Sequence, residues 1–246
     1  MYSPRNNSPF GGGNSFGSRY QYQTMSYAVG QEQTSSLISK VMGLLAFSFV
    51  FAAIGSFVGS FVIQSLTAYW IVALAGLAVL FILQLVIQKP GINLFLLYLF
   101  TFLEGMSLAP LLSYYLATNS NILGEAFVIT ALTSLALGLY AWITKRDFSG
   151  LRDYLFFGLI LLLLVSVVGL FFGGLFGSGI LGLVISFFGV AIFSGYVLYY
   201  VQRAKYMANT MPNAVGLTVS LFITLLNLFL YILRILSILQ GGNRRR

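Results

Sequence analysis

Seven stretches of this chain are each about 20 to 26 residues long and almost free of charge. They run roughly from Val41 to Ile63, Ala68 to Gln88, Ile92 to Ala117, Ile122 to Thr144, Tyr154 to Phe176, Gly179 to Val201 and Ala214 to Leu239. A helix rises about 1.5 Å per residue, so about 20 apolar residues cross the ~30 Å hydrocarbon core of a bilayer. Composition points the same way: 59% of the residues are hydrophobic and only 7% are charged, against about 25% charged in a soluble domain. The expected fold is all-α, a polytopic bundle of about seven transmembrane helices over residues 37–240. The lipid bilayer is its first partner.

Connectors between the stretches are short, which makes neighbouring helices antiparallel. Pro90-Gly91, Asn119-Ser120-Asn121 and Gly177-Ser178-Gly179 are turn chemistry, and Pro212-Asn213 is expected to break the chain before the last helix. Residues 1–36 are rich in Ser, Gly, Asn, Gln and Tyr, with few aliphatics, and are expected to form a disordered tail. The first apolar stretch begins too late, and runs too long, for a signal peptide. With the N-terminus in the cytoplasm, Arg5, Arg19, Lys40, Lys89, Lys145, Arg146, Arg152, Arg203 and Lys205 all fall on the cytoplasmic side, while the opposite connectors hold no Lys or Arg. This asymmetry predicts a cytoplasmic N-terminus. It also accounts for the net charge of +8 without nucleic acid. Seven crossings leave the basic tail of residues 241–246 outside; a re-entrant last segment is the alternative.

The chain has no Cys and no His, which excludes disulfides, thiolate or imidazole metal sites and a Ser-His-Asp triad. No phosphate loop, metal-ligand cluster or nucleophile with a base is visible. We therefore expect a protein that is not an enzyme, with no cofactor. The acids are Glu32, Glu104, Glu125, Asp147 and Asp153. Glu104 lies near the middle of the third apolar stretch, where an ionised carboxylate costs about 2.5 kcal/mol or more and should face protein or water. Thr101 and Ser107 share its face at helical spacing. Pro110 frees the carbonyl of Met106, and Gly105 lets another helix come close. In the last stretch Ser220, Thr224, Asn227, Tyr231 and Arg234 form one helical face. Depth suggests that Glu104 pairs with Thr224 and Asn227, with Arg234 snorkelling toward the far end. Hydrogen-bond glue between helices is an equal reading of this stripe. Tyr196, Tyr199, Tyr200 and Arg203 form a second stripe, read first as an interfacial belt. Gly55-x-x-x-Gly59 and the Gly169, Gly173, Gly177 series permit close helix approach.

Four stretches taken together resemble the Bax inhibitor-1 family in its bacterial YccA-like branch. They are the segment around Glu104-Gly105-Met106-Ser107, Thr144-Lys145-Arg146-Asp147, Phe193-Ser194-Gly195-Tyr196, and Ser220 through Asn227. The resemblance covers the chain beyond about residue 35. It implies a seven-helix membrane protein without enzymatic activity, in a bacterial inner membrane. Some members act as pH-sensitive calcium leak channels; others are linked to control of a membrane-bound AAA protease or to suppression of cell death. Glu104 matches the family's third-helix glutamate. Calcium-leak members carry an Asp after the Tyr of the sixth-helix motif and another four residues after the Ser of the last-helix motif. Here those positions are Tyr200 and Thr224, so a pair of acids sharing a proton is absent. Two functions follow as expectations. One is a pH-modulated calcium or proton leak with Glu104 as the intramembrane acid and Thr224, Asn227, Tyr200 and Arg234 along the pathway. The other is a regulator or partner of a membrane protease. An intramembrane hydrolase is disfavoured, because a single buried acid makes no aspartyl pair.

Overall fold

In the computed structural model the described residues are 15–171 and 179–243, with side chains described over residues 36–169 and 179–240. All regular structure among them is helical. The helices are α1 (Ser15–Val62), α2 (Leu66–Val86), α3 (Ile92–Ile143), α4 (Leu151–Phe171), α5 (Gly179–Ala204) and α6 (Met211–Asn243). Each is long and apolar enough to cross a membrane.

At 52 residues, α3 would extend about 78 Å as a straight rod, more than twice the hydrocarbon thickness. It is not straight. Asn119 leaves helical geometry at φ −163° and ψ 81°. Beyond it the chain turns back, so that Thr130 and Ser134 line the same cavity as Gly105 and Leu108. The two arms, residues 92–118 and 120–143, form a hairpin and make two crossings. The Asn119-Ser120-Asn121 turn expected from sequence is therefore a one-residue break rather than a loop. Its geometry gives seven crossings from six helices.

Boundaries follow local chemistry. Ser65 caps α2 by accepting from the Ala68 N–H at 3.1 Å. Gly91 precedes α3 at φ +81°, a conformation glycine adopts without a Cβ clash. Pro212 and Asn213 lie inside the first turn of α6 rather than ahead of it, since proline needs no N–H donor there. Thr210 accepts from the Asn213 N–H at 3.4 Å. The expected tail is corrected in part: the backbone is helical from Ser15, continuing the register of α1, although the membrane-length apolar part of α1 begins at Ser36. Gly173, Gly177, Ser178 and Arg244 to Arg246 lie outside the described residues.

The bundle is held by two apolar clusters on either side of mid-depth. One joins Leu37, Val41 and Leu45 of α1 to Leu97 and Phe100 of α3 and Val215 and Phe222 of α6. The other joins Ile122 and Ala126 of α3 to Phe193 of α5 and Leu228, Phe229 and Leu233 of α6. Both α3 and α6 contribute to the two clusters, α6 the more heavily, and 39% of its apolar core window is buried against 11% for α2. It is the central helix, and α2 is peripheral.

The closest approach is between α1 and the first arm of α3. A Cβ added at Gly105 would overlap the Ala52 backbone, and one at Gly55 would overlap the Phe102 carbonyl. Gly59 sits against the Met106 carbonyl, the one that Pro110 deprives of its helical donor. Gly105→Ala is expected to cost about 1–3 kcal/mol through overpacking and to lower the thermal midpoint in detergent. Gly124→Ala, where the added methyl meets open space, should shift the midpoint by less than about 1 kcal/mol equivalent.

Candidate functional site

Glu104 stands on the face of α3 that turns toward α2. Its Oε1 is 3.6 Å from the position a Cβ would occupy on Gly76, a buried glycine of α2. The side chain is half-buried. Its carboxyl makes no hydrogen bond among the described residues. The hydroxyls on its own face are engaged elsewhere: Thr101 donates to the Tyr98 carbonyl at 3.1 Å, and Ser107 donates to the Glu104 carbonyl at 2.8 Å. Such back-bonding is how Ser and Thr are satisfied inside a membrane helix.

The expected pairing of Glu104 with Thr224 and Asn227 is not made. Thr224 donates to the Ser220 carbonyl at 2.7 Å, and Asn227 donates to the Ile223 carbonyl at 2.8 Å. The physical reason is angular. Gly105, about 100° further round α3, packs on α1 and lines the cavity that α6 also lines. Glu104 therefore looks out on a different side. Arg234 is half-buried and lies beside Tyr231, away from Glu104 along the chain.

Two hollows lie along α6. The larger, about 550 Å³, is bounded by Ala52 and Ser56 of α1, Gly105 of the first α3 arm, Thr130 of the second arm, and Leu225 and Phe229 of α6. Phe49 and Phe127 on its rim are 38% and 54% exposed, so it opens toward lipid. The smaller, about 290 Å³, lies at the end of the bundle near the α2–α3 turn and is bounded by Gln84, Gln88, Tyr200, Arg203, Asn213 and Ser220, among others. Tyr200 faces the Ser220 hydroxyl there. Between the hollows α6 is densely packed: Phe222 is fully buried, and Leu221 and Thr224 nearly so.

A family profile described as "Inhibitor of apoptosis-promoting Bax1" matches residues 34–241, most of the chain and every crossing. The chain belongs to the Bax inhibitor-1 family. A protein of Campylobacter jejuni is 34% identical over 211 residues, covering 83% of this chain and 89% of that one. A membrane protein of Vibrio cholerae is 28% identical over 213 residues, covering 86% and 93%. A Golgi anti-apoptotic protein of vaccinia virus is 30% identical over 163 residues, covering 66% and 65%. Tyr200 lies in the smaller hollow, and Thr224 in the packed layer one turn beyond Ser220.

Two glutamines that the sequence did not single out, Gln202 and Gln240, help to fix the two ends of this Bax inhibitor-1-family bundle, together with charged and turn residues that it did. At the basic end, Gln202 of α5 is 5% exposed; it donates to the Arg146 carbonyl and accepts from the Phe148 N–H at 2.5 Å. Lys205 donates to the last carbonyls of α3, Ala141 at 2.7 Å and Trp142 at 2.5 Å, and stands over the Trp142 ring. A cation at a helix C-terminus opposes the negative end of the dipole. Burial lowers the Lys205 ammonium from the ordinary lysine value. Lys40 reaches Asn209 at 2.9 Å. The Ser149 N–H and hydroxyl hold the Asp147 carboxyl below its ordinary range. At the opposite end Gln240 donates to Glu125 at 2.8 Å and accepts from Asn119, the break residue, at 3.5 Å. The only sequence signal for Gln202 was a polar residue just inside a helix end. Gln202→Leu leaves an N–H and a carbonyl unpartnered, which costs about 1–3 kcal/mol for each buried group. Its amides over residues 144–150 should exchange hydrogen faster than in the wild type.

Proposed function

We propose that this membrane protein is a proton-modulated leak pathway, held closed in the present conformation, with Glu104 as the group that takes up and releases the proton. The observation that carries the reading is the pair of hollows on α6, separated by the packed layer of Leu221, Phe222 and Thr224. The smaller hollow opens at the basic end, and the packed layer is a constriction between it and the larger hollow, which opens sideways toward lipid; in this reading the link from the larger hollow to the far phase forms only in the open state. Glu104 does not line either hollow. It adjoins Gly105, which does, and which packs on α1. In this reading a change of charge on Glu104 shifts the first α3 arm between α2 and α1, and so moves one wall of the larger hollow.

Protons suit the residues better than calcium. Calcium takes about six to eight oxygen ligands and favours carboxylates, and no group of three acids converges among the described residues. Tyr200 of α5 and Thr224 and Asn227 of α6 supply neutral oxygens. The reading includes an inner-membrane location with the basic end cytoplasmic, because the loops carrying Lys89, Lys145, Arg146, Arg203 and Lys205 meet at one end of the bundle. It also holds that the chain is not an enzyme.

A second reading is a regulator of a membrane-bound protease complex. The helical part of α1 that runs from Ser15 up to the spanning part, which begins at Ser36, favours it. Liposome flux with a pH dye and a calcium dye tests the first reading. A coupling of about 1–3 kcal/mol between protonation and opening corresponds to about 5- to 150-fold in flux. Wild-type proton flux should therefore vary with pH by at least the lower figure, and Glu104→Gln should flatten that dependence; equal profiles from both proteins remove Glu104 from the mechanism. For the second reading, residues 1–35 are deleted. Loss of co-purified membrane proteins with unchanged flux is the expected signature of a docking segment, and an unchanged set of partners removes it.

A further inference from the structure

The smaller hollow lies at the end of the bundle where the basic loops gather, and among the described residues no acid lines it. The charged residue in its described wall is Arg203 of α5. That guanidinium forms no ion pair among the described residues. The charge of Arg152 also reaches Tyr200 in the same wall. A further wall is the start of α6, with Pro212 and Asn213 of its first turn and Gly216 of its second. The start of a 33-residue helix carries the positive end of its dipole. Gln84 and Gln88 bring amide groups from α2 and make no side-chain hydrogen bond among the described residues. The volume of about 290 Å³ is about ten times the ~30 Å³ share of one water. That leaves room for a phosphate group and several waters. Positive potential, a fork-shaped donor and neutral amides without a competing carboxylate together suit an oxyanion, and a guanidinium binds phosphate through two parallel hydrogen bonds.

We propose that this hollow binds a phosphate-class anion, with Arg203 as its charged partner and the first turn of α6 as a second positive wall, and that the group arrives on the headgroup of an anionic lipid. The lipid source follows from the flank. Leu85 and Ile82, beside Gln84 on α2, are 70% and 45% exposed, so acyl chains can lie along α2 while the headgroup enters between α2, α5 and α6. The site uses no part of the Glu104 mechanism and stands or falls separately from it.

The test uses the full chain in nanodiscs of phosphatidylcholine with a minor fraction of phosphatidylglycerol, and native mass spectrometry counts retained lipid. Wild type should retain phosphatidylglycerol in preference to phosphatidylcholine. Arg203→Gln should weaken that retention about fivefold, the usual scale for one basic residue at an anionic surface. Gln88→Glu, which places a carboxylate in the wall, should act in the same direction. Lys145→Gln removes the same charge from an exposed loop at the same end, outside the wall of the hollow, where solvent and salt screen it from a bound headgroup, and should change retention less than about twofold. Inorganic phosphate is then added. Displacement of the lipid in wild type but not in Arg203→Gln supports the site and makes the free anion a second source. Retention despite phosphate supports the site with the lipid as its source. Equal losses in Arg203→Gln and Lys145→Gln overturn the proposal, as does phosphatidylcholine held as firmly as phosphatidylglycerol.

Discussion

Backbone lies on backbone where α1 meets the first arm of α3, and this contact governs how the remaining helices are arranged. Apolar side chains gain little by leaving lipid for protein, since acyl chains are as apolar as leucine. Helices in a bilayer associate through dispersion and close approach instead. Gly55, Gly59 and Gly105 provide that approach, each with a neighbouring backbone where a methyl would lie. Pro110 adds to it without interrupting the helix, because the carbonyl it leaves without a donor is the one that Gly59 covers. With α1 and α3 drawn together on one side, α6 fills the centre and α2 is left on the edge.

Much of this was legible from the chain. The lengths of the apolar stretches and the turn residues between them predict the crossings, and the structure follows them with shifts of a few residues at the ends. The family resemblance came from short stretches that turn out to lie on α3, α5, α6 and the loop between α3 and α4. What the sequence did not show was azimuth. The 4-3-4-3 spacing of Ser220, Thr224, Asn227, Tyr231 and Arg234 does describe one side of α6, but spacing says nothing about where a hydroxyl points when its own helix offers a carbonyl four residues back. Depth suggested that Glu104 and Thr224 meet. A rotation of about 100° between Glu104 and Gly105 was enough to send the carboxyl toward α2. Gln202 and Gln240 were also silent, since their partners are main-chain groups and side chains more than 50 residues away.

The two ends of the molecule are tied by different chemistry. At the basic end, Lys205 and Gln202 satisfy helix-end and loop backbone groups that would otherwise need water. At the opposite end, amide side chains link the break in α3 to the end of α6. Both sets of links terminate on the arms of α3, so the hairpin is anchored at its tip and at its exit. In its interior the hydroxyls of Thr130 and Ser134 donate to carbonyls of their own helix rather than to α1 or α6.

That interior borders the larger hollow, and the hollow faces hydrocarbon. Space left unfilled forfeits dispersion contacts, so whatever tail slips between Phe49 and Phe127 becomes part of the protein's packing. Straight, stiff tails and kinked, fluid ones occupy such a crevice differently. The melting of the surrounding lipid, and hydrostatic compression, which acts first on internal voids, thereby enter the conformational balance of the bundle as directly as any of its own side chains.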